Sequence, residues 1–201
     1  MNELRKNRQI YIKDSIGESV KMLNDLLSND YLMNTVNQVA HLCTDCIRAN
    51  GKIIFAGNGG SAADAQHMAG EFISRFAFDR PGMAALSLAT DTSILTAVGN
   101  DYGFEYIFSR QIEAIASPND LFIAYSTSGK SKNILIALEA AKKRGLTTVG
   151  LTGNLQTKMQ NNCDYLINVP SNITPKIQEG HLVIGHILCG IVEREIFGET
   201  S

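Results

Sequence analysis

Two segments at the start of the chain carry hydrophobic residues at helical spacing. An apolar side chain recurs every three or four positions in residues 14–28 and in residues 31–49. In the first segment these side chains belong to Ile16, Val20, Leu23 and Leu27. Gly51 follows the second segment, at a place where glycine commonly ends a helix. The pattern therefore predicts a pair of leading helices within residues 1–50.

After Gly51 the pattern changes to short apolar runs that alternate with helical segments. Runs of strand length occupy residues 52–57, 84–89, 120–126, 147–152 and 165–169. Helical patterns occupy residues 61–76, 92–116, 132–144, 155–163 and 176–197. Buried strands that alternate with helices are typical of a parallel sheet covered on both faces. The sequence therefore predicts an α/β three-layer sandwich around a five-stranded parallel sheet, of the doubly wound, flavodoxin-like kind.

The last predicted helix, residues 176–197, is apolar on most of its circumference. Its apolar residues are Ile177, Leu182, Val183, Ile184, Ile187, Leu188, Ile191, Val192 and Ile196. This is more apolar surface than one face of a single chain buries, so the helix predicts a contact between subunits. Residues 1–201 are expected to form one domain, in which the helical pair leads into an α/β core over residues 51–201.

Composition narrows the class of protein. The 201 residues are 44% hydrophobic and 19% charged, as in ordinary soluble domains. Lys and Arg together number 18, and Asp and Glu together number 20. The sequence therefore lacks the excess of positive charge that is typical of proteins that bind nucleic acid. It has no run of about 18 apolar residues that would span a membrane, and we expect a cytoplasmic protein. Cys43 and Cys46 form a lone C-x-x-C, which we interpret as two thiols on the buried side of a helix.

Two loops that follow predicted strands have the composition of anion-binding sites. Gly57–Ser61 opens a helix with three glycines, although such a turn is equally common as plain structure. Its spacing matches neither the Rossmann nor the P-loop fingerprint. Ser126–Ser131 offers four hydroxyl groups beside the first N–H groups of the next helix, which suits a phosphate monoester. The alternative, a helix N-cap with serines filling a turn, accounts for one or two of these hydroxyls.

Acid and imidazole groups occur in two of the predicted helices. His67 and Glu71 are four residues apart and share one helix face, where the alternative is an ordinary surface pair. Gln178 and His186 lie in the last predicted helix. Together with the serine-rich turn, these groups indicate an enzyme that acts on a small phosphorylated substrate.

Five short motifs stand along the chain in a fixed order. They are GNGGSAAD at 57–64, ATDTS at 89–93, GND at 99–101, STSG at 126–129 and IQEGH at 177–181. Together they resemble the sugar isomerase (SIS) fold and, more narrowly, the phosphoheptose isomerase family. The resemblance covers essentially the whole chain, including the paired N-terminal helices.

The resemblance implies a homotetramer that interconverts D-sedoheptulose 7-phosphate and D-glycero-D-manno-heptose 7-phosphate, the first step of nucleotide-activated heptose biosynthesis. It also implies active sites at subunit interfaces and a zinc ion, as in many members. The zinc ligands correspond to His67, Glu71, Gln178 and His186, and the acid/base pair to Glu71 and His186. The substrate contacts correspond to Asn58, Gly59, Gly60, Ser61, Glu71, Asn100, Asp101, Ser126, Thr127, Ser128, Ser131 and Gln178.

The chemistry requires groups of this kind independently of the resemblance. Converting a ketose to an aldose moves a proton between C1 and C2 through an enediol, while an acid or a metal stabilises charge on oxygen. A carboxylate held tightly by zinc is a poor base. Two schemes therefore stay open: either Glu71 leaves the metal when substrate arrives, or His186 is the base and Glu71 orients it.

Two other classes of protein share parts of the pattern. One is a non-catalytic SIS protein that binds the replication initiator DnaA, in which the positions of Glu71 and His186 are not acid and imidazole. Their presence in this sequence favours the enzyme. The other is a sugar-phosphate-sensing module, which is usually fused to a DNA-binding segment that this sequence does not include.

The spacing of Gln178 and His186 makes it difficult for one chain to supply both residues as ligands of the same metal ion. In a continuous helix, Gln178 and His186 are separated by about 12 Å of rise and about 80° of rotation. We therefore predict that the site is completed across a subunit boundary, or that the helix begins irregularly around Gln178. His41 is expected at the surface or an interface and His181 in the core or behind the site, both outside the metal set.

Overall fold

The computed structural model describes residues 3–154 and 157–198, which form a five-stranded parallel sheet between two layers of helices. The strands are β1 (Ile53–Ala56), β2 (Ala85–Ser87), β3 (Leu121–Tyr125), β4 (Thr147–Thr152) and β5 (Tyr165–Asn168). The helices are α1 (Glu3–Leu27), α2 (Asp30–Arg48), α3 (Gly60–Ile73), α4 (Thr92–Asp101), α5 (Ser109–Ile115), α6 (Lys132–Lys143) and α7 (Thr174–Phe197). Short 3-10 turns cover Phe104–Tyr106 and Lys158–Asn161. The predicted architecture and all five predicted strands are confirmed.

The order of the strands places two loops side by side. The sheet runs β2-β1-β3-β4-β5, and every pairing is parallel. The chain therefore turns in opposite directions after β1 and after β3, and the carboxyl ends of these neighbouring strands form a switch point where α/β folds bind ligands. Gly57–Ser61 leaves β1 and Ser126–Ser131 leaves β3 at this edge of the sheet.

Both faces of the sheet are covered because its central strands are apolar on both sides. All residues of β1 and β3 are buried. One face packs against α2, α3 and α7, with Met22 and Leu26 from the end of α1. The other face packs against α5 and α6, where Phe108, Ile112 and Leu138 are fully buried. The two cores hold the sheet edge with its loops as a rigid platform.

The predicted helix over residues 92–116 is wrong as a single element. Within it lie α4, a 3-10 turn and α5. The break falls at Gly103, whose φ of 103° is outside the helical region. The break could not be predicted, because the apolar residues of this segment have no strong periodicity. None of the described residues Thr92–Asp101 of α4 is buried.

Two further predictions need correction. In the predicted helix 155–163, residues 155 and 156 lie outside the described residues, and the remainder is extended at Thr157 and then forms only a short 3-10 turn. At the end of α2, the left-handed residue is Asn50 (φ 57°), not Gly51. Gly51 is required for a different reason, since a Cβ there would lie 2.2 Å from the carbonyl oxygen of Asn119.

The apolar surfaces of the first and last helices differ in how far the single chain buries them. The stripe of α1 faces away from the core of its own chain, and its residues Ile16, Val20, Leu23 and Leu27 are all exposed. In contrast, α7 packs against α2 and α3, and of its nine predicted apolar residues four are buried and four are half-buried. Of the nine predicted apolar residues of α7, Ile187 alone is classed as exposed, at 36%. The apolar surface that a single chain leaves exposed is therefore larger on α1 than on α7, and the subunit contact expected for α7 stays a prediction.

Among the helices of residues 3–154 and 157–198, none combines the length and the apolarity needed to cross a membrane. Cys43 and Cys46 are both buried as free thiols, as interpreted from the sequence. Burial raises the pKa of the Cys46 thiol to about 11. Neither thiol is therefore ionised near neutral pH.

Candidate active site

The loop between β1 and α3 approaches α7 closely. Gly59 has a φ of 58°, which favours glycine. A Cβ at Gly60 would lie 2.4 Å from Nε2 of Gln178, so a side chain at position 60 would displace this amide from its observed place. Ser61 is 3% exposed and lies beneath the loop. The structure thus brings the predicted residues Gly60 and Gln178 together within one chain.

Asn58 is fixed by a residue that the sequence did not single out. Its side-chain amide donates to Oδ1 of Asn133 at 2.9 Å and accepts from Nδ2 of Asn133 at 2.8 Å. Asn133 is 3% exposed and belongs to the first turn of α6. This reciprocal pair joins the two loops at the switch point. The only signal in the sequence was a polar residue two positions after the serine-rich turn, which resembles an ordinary solvent-facing helix position.

The serine-rich turn is folded around its own hydroxyl groups. Oγ of Ser126 donates to Oγ of Ser131 at 3.1 Å, and the backbone N–H of Lys130 donates to Oγ of Ser128 at 3.2 Å. Ser131 is the N-cap of α6, yet within the described residues its side chain makes no capping hydrogen bond. The first N–H groups of α6 therefore remain available to an anion at this turn. Thr127 is half-buried at the same place.

His67, Glu71 and His186 form one compact cluster. Nε2 of His67 lies 2.9 Å from Nε2 of His186 and 3.5 Å from a carboxylate oxygen of Glu71. One potential ligand atom from each residue lies within 4.8 Å of the other two. Glu71 is half-buried, while His67 is exposed. Imidazole and carboxylate groups at this spacing can exchange a proton with a small molecule or share a cation.

The helices that carry this cluster can meet because glycine separates them. A Cβ at Gly185 would lie 2.3 Å from Sδ of Met68. Gly185 directly precedes His186, and Met68 directly follows His67. The close packing of α3 on α7 therefore sets the separation between the two imidazoles.

The donor set fits a zinc ion. Zinc takes imidazole nitrogen and carboxylate oxygen at about 2.0–2.2 Å in tetrahedral geometry, which places neighbouring donors about 3.4 Å apart. The observed separations of 2.9 Å and 3.5 Å are close to this value. His67, Glu71 and His186 can therefore supply three ligands from one chain. Gln178 contacts Gly60 in this structure.

These positions bear on the predicted arrangement of the site. The expectation that α7 begins irregularly around Gln178 is wrong, because α7 is helical from Thr174 to Phe197. The backbone N–H of Ile177 already donates to the carbonyl of Ile173 at 2.9 Å. Glu71 and His186 come together within one chain, so a subunit boundary is not needed to pair them.

Asn100 and Asp101 are held differently from the other predicted site residues. They end α4, and both are exposed. Nδ2 of Asn100 donates to Oδ1 of Asp101 at 2.8 Å. The main neighbour of α4 is the following 3-10 turn rather than the sheet. Their place in the site therefore stays a prediction.

The buried side of α7 carries a histidine of a different kind. His181 is fully buried, with its ring 5.6 Å from the ring of Tyr125 and Nε2 3.4 Å from the carbonyl oxygen of Thr152. Burial lowers the pKa of His181 to about 4, and it raises the pKa of Tyr125 well above its usual range. His181 is thus a neutral core residue. His41 is exposed beside Asp45, as expected for a surface residue.

Asp64 lies one turn before His67 on α3. Burial raises the pKa of Asp64 to about 6, and the nearby His67 partly offsets this rise. Within the described residues its Oδ2 atom is buried without a hydrogen-bond partner. Nothing in the sequence distinguishes this carboxylate, because an aspartate in the second turn of a helix is usually exposed.

The comparisons with known proteins agree with this geometry. The family model described as SIS domain matches residues 18–153, so the protein is of the SIS class. The chain is 57% identical over 195 residues to the phosphoheptose isomerase of Burkholderia pseudomallei strain K96243, which covers 96% of this chain and 99% of the relative. It is 54% identical to the phosphoheptose isomerase of Aneurinibacillus thermoaerophilus, over 93% of this chain and 94% of the relative.

A solved phosphoheptose isomerase structure from Neisseria gonorrhoeae has the same fold. Its TM-score is 0.85 at 38% identity, and the match covers 92% of this chain and 98% of the other. The chain belongs to the phosphoheptose isomerase family. The family predicted from the five motifs is thereby confirmed.

Proposed function

We propose that this protein interconverts D-sedoheptulose 7-phosphate and D-glycero-D-manno-heptose 7-phosphate as an aldose–ketose isomerase. One observation carries the proposal: in a chain 57% identical to a phosphoheptose isomerase, Glu71 and His186 lie together in one cluster of acid and imidazole groups. The turn at Ser126–Ser131 supplies hydroxyl and N–H donors for the phosphate. The acid and imidazole supply proton transfer at the other end of the sugar.

The roles follow from the positions of the groups. Asn58 and the glycines at 59 and 60 hold the sugar hydroxyls at the loop after β1, and Asn100 and Asp101 contribute from α4. Glu71 and His186 act as the acid/base pair that moves a proton between C1 and C2 through the enediol. Because the cluster is only partly exposed, substrate that enters it displaces water and strengthens these interactions.

A zinc ion fits the proposal as a cofactor. His67, Glu71 and His186 would hold it, with Gln178 as the fourth ligand after a change of its side-chain conformation. When bound, the ion supplies a Lewis acid for the carbonyl and hydroxyl oxygens of the sugar. Donor chemistry and spacing support this assignment.

A homotetramer and a cytoplasmic location complete the proposal. The exposed stripe of α1 supports association with further copies of the chain, since four large apolar side chains on one helix face are costly to leave in water. The product would enter the synthesis of nucleotide-activated heptoses for lipopolysaccharide or capsule.

A direct assay tests the activity. Purified protein is incubated with sedoheptulose 7-phosphate and the aldose is measured, with and without a chelator and after return of zinc. We expect aldose formation that the chelator lowers and zinc restores. Absence of aldose from metal-loaded, correctly folded protein would overturn the proposed activity, and full activity in chelator would overturn the role of the metal.

A further inference from the structure

A buried ion pair lies close to the proposed acid/base pair. Nε of Arg80 donates to Oε1 of Glu193 at 3.0 Å, and the two side chains are 1% and 0% exposed. Arg80 belongs to the segment between α3 and β2, and Glu193 lies on α7 two turns after His186. The pair therefore joins the segment that follows Glu71 to the helix that carries His186.

Arg80 closes the end of α3. Its Nη2 donates to the carbonyl oxygen of Glu71 at 2.8 Å. Its Nη1 donates to the carbonyl oxygens of Phe72 at 2.6 Å, Ser74 at 3.0 Å and Pro81 at 3.1 Å. The last carbonyls of a helix have no partner within the helix, so one guanidinium both satisfies them and fixes the turn that carries Glu71.

Glu193 holds the same segment from the other side. Its two carboxylate oxygens accept from the backbone N–H groups of Phe76 at 2.8 Å and Ala77 at 2.7 Å. The ring of Phe76 in turn packs against the imidazole of His186, with 5.6 Å between ring centroids and 39° between the planes. Glu193 therefore reaches His186 through the backbone and ring of Phe76.

We propose that Arg80 and Glu193 are positioning residues for the isomerase reaction, which fix the backbone of Glu71 and the ring of His186 relative to each other. The inference rests on the proposed function. Stability alone is a weak reason for such a pair, because burying two charges costs about as much free energy as their attraction returns. A fixed separation between two reacting groups is a sufficient reason, since small displacements reduce turnover strongly.

The test uses Glu193→Gln and a control with the same local chemistry. Asp120 is also a buried carboxylate, accepting from the backbone N–H groups of Lys52 at 2.9 Å and Ser117 at 2.8 Å and from Nζ of Lys52. It precedes β3 and so lies at the opposite edge of the sheet from the proposed site. Asp120→Asn therefore removes a comparable ion pair without touching Glu71 or His186.

Three measurements separate positioning from stabilisation. Both variants should unfold at a lower urea concentration than the parent protein does. Glu193→Gln alone should lower kcat, by about 10-fold, with KM within about 3-fold of the parent. It alone should also shift the ring-proton NMR signal of His186 in metal-free protein, because the ring of Phe76 lies against this imidazole. The chain has 4 histidines, so His186→Gln assigns the signal.

Phe76→Leu provides an independent variant if Glu193→Gln does not fold, since it removes the ring and leaves the ion pair intact. It should lower kcat and shift the same signal. Equal kcat losses in Glu193→Gln and Asp120→Asn, or Phe76→Leu with the kcat of the parent, would overturn the inference. The NMR signal does not depend on substrate, so failure of the parent to form aldose would count against the proposed function instead.

Discussion

Two parts of the proposed site are held in different ways. The cluster of His67, Glu71 and His186 lies between α3 and α7, which pack on each other and on the sheet. Asn100 and Asp101 end α4, and none of the described residues Thr92–Asp101 of that helix is buried. The proposed reacting groups are therefore held by two helices that contribute buried residues to the core, whereas α4 packs on the core only through half-buried side chains such as Leu95 and Val98. The difference indicates that substitutions in the cluster should change kcat, whereas substitutions on α4 should change KM.

The largest expected effect is on the fixed cluster. Glu71→Gln and His186→Ala should each lower kcat by at least about 100-fold, because each removes one member of the pair that transfers the proton. Steady-state kinetics on zinc-loaded protein measures the loss. Glu139→Gln and His41→Ala are the matched controls, since both residues are exposed and lie on α6 and α2, which carry no member of the cluster. Near-normal turnover in either cluster variant, in protein of normal mass, would remove that residue from the mechanism.

The second prediction concerns the assignment of the cluster to a single chain. When inactive Glu71→Gln and His186→Ala chains are mixed under conditions of subunit exchange, activity should stay at the level of the separate variants. Each site in a mixed oligomer still lacks one member of the pair, because both members come from the same chain. Exchange is verified by mass spectrometry of differently labelled chains. Recovery of activity would mean that the reacting pair is assembled between subunits.

The sequence predicted the scaffold better than it predicted the contacts that hold the site. Strands such as 53–56 are apolar throughout, and this pattern depends little on the rest of the chain. His67 and Glu71 were found because helical spacing places them on one face. Asn133 and Arg80 were missed, because each acts through a partner more than 70 residues away, Asn58 and Glu193 respectively. Polar residues on helices and loops look alike in a sequence whether they face water or a buried partner.

The break at Gly103 and the position of Gln178 have the same origin. A glycine in a mixed pattern can continue a helix or interrupt it, and the tertiary environment decides which occurs. Gln178 could be placed in α7 from the pattern, but its contact with Gly60 depends on how closely α7 approaches the loop after β1. Such distances arise from packing between elements that are far apart in the chain.

A smaller effect is expected for the helix that lacks buried residues. Asp101→Ala should raise KM by roughly 10-fold and change kcat by less than about 3-fold, because an exposed carboxylate on α4 can bind sugar hydroxyls without touching the reacting pair. Glu113→Ala on α5 is the control, since this acidic residue is also exposed. A loss of kcat comparable with that of Glu71→Gln would show that α4 takes part in the chemistry, and the proposed division would then be wrong.

The smallest effect on turnover is expected at His181, on the buried face of α7. The pKa of His181 is lowered by burial to about 4, so the folded protein holds this ring neutral. Between about pH 6.5 and pH 4 the unfolded chain binds the extra proton, and the free energy of unfolding therefore falls as the pH falls through this window. The loss is complete below the folded pKa and amounts to about 3 kcal/mol relative to neutral pH.

Replacing this residue isolates its contribution to stability. In urea titrations at about pH 7 and about pH 4.5, His181→Gln should lose less stability on acidification than the parent does, while kcat at neutral pH stays within about 3-fold. His41→Gln should keep the pH dependence of the parent, because that histidine is exposed. If His181→Gln keeps the full pH dependence, another group is responsible for the loss of stability in acid. If it instead abolishes turnover in folded protein, the two faces of α7 are not independent, and the buried face then belongs to the reaction as much as His186 does.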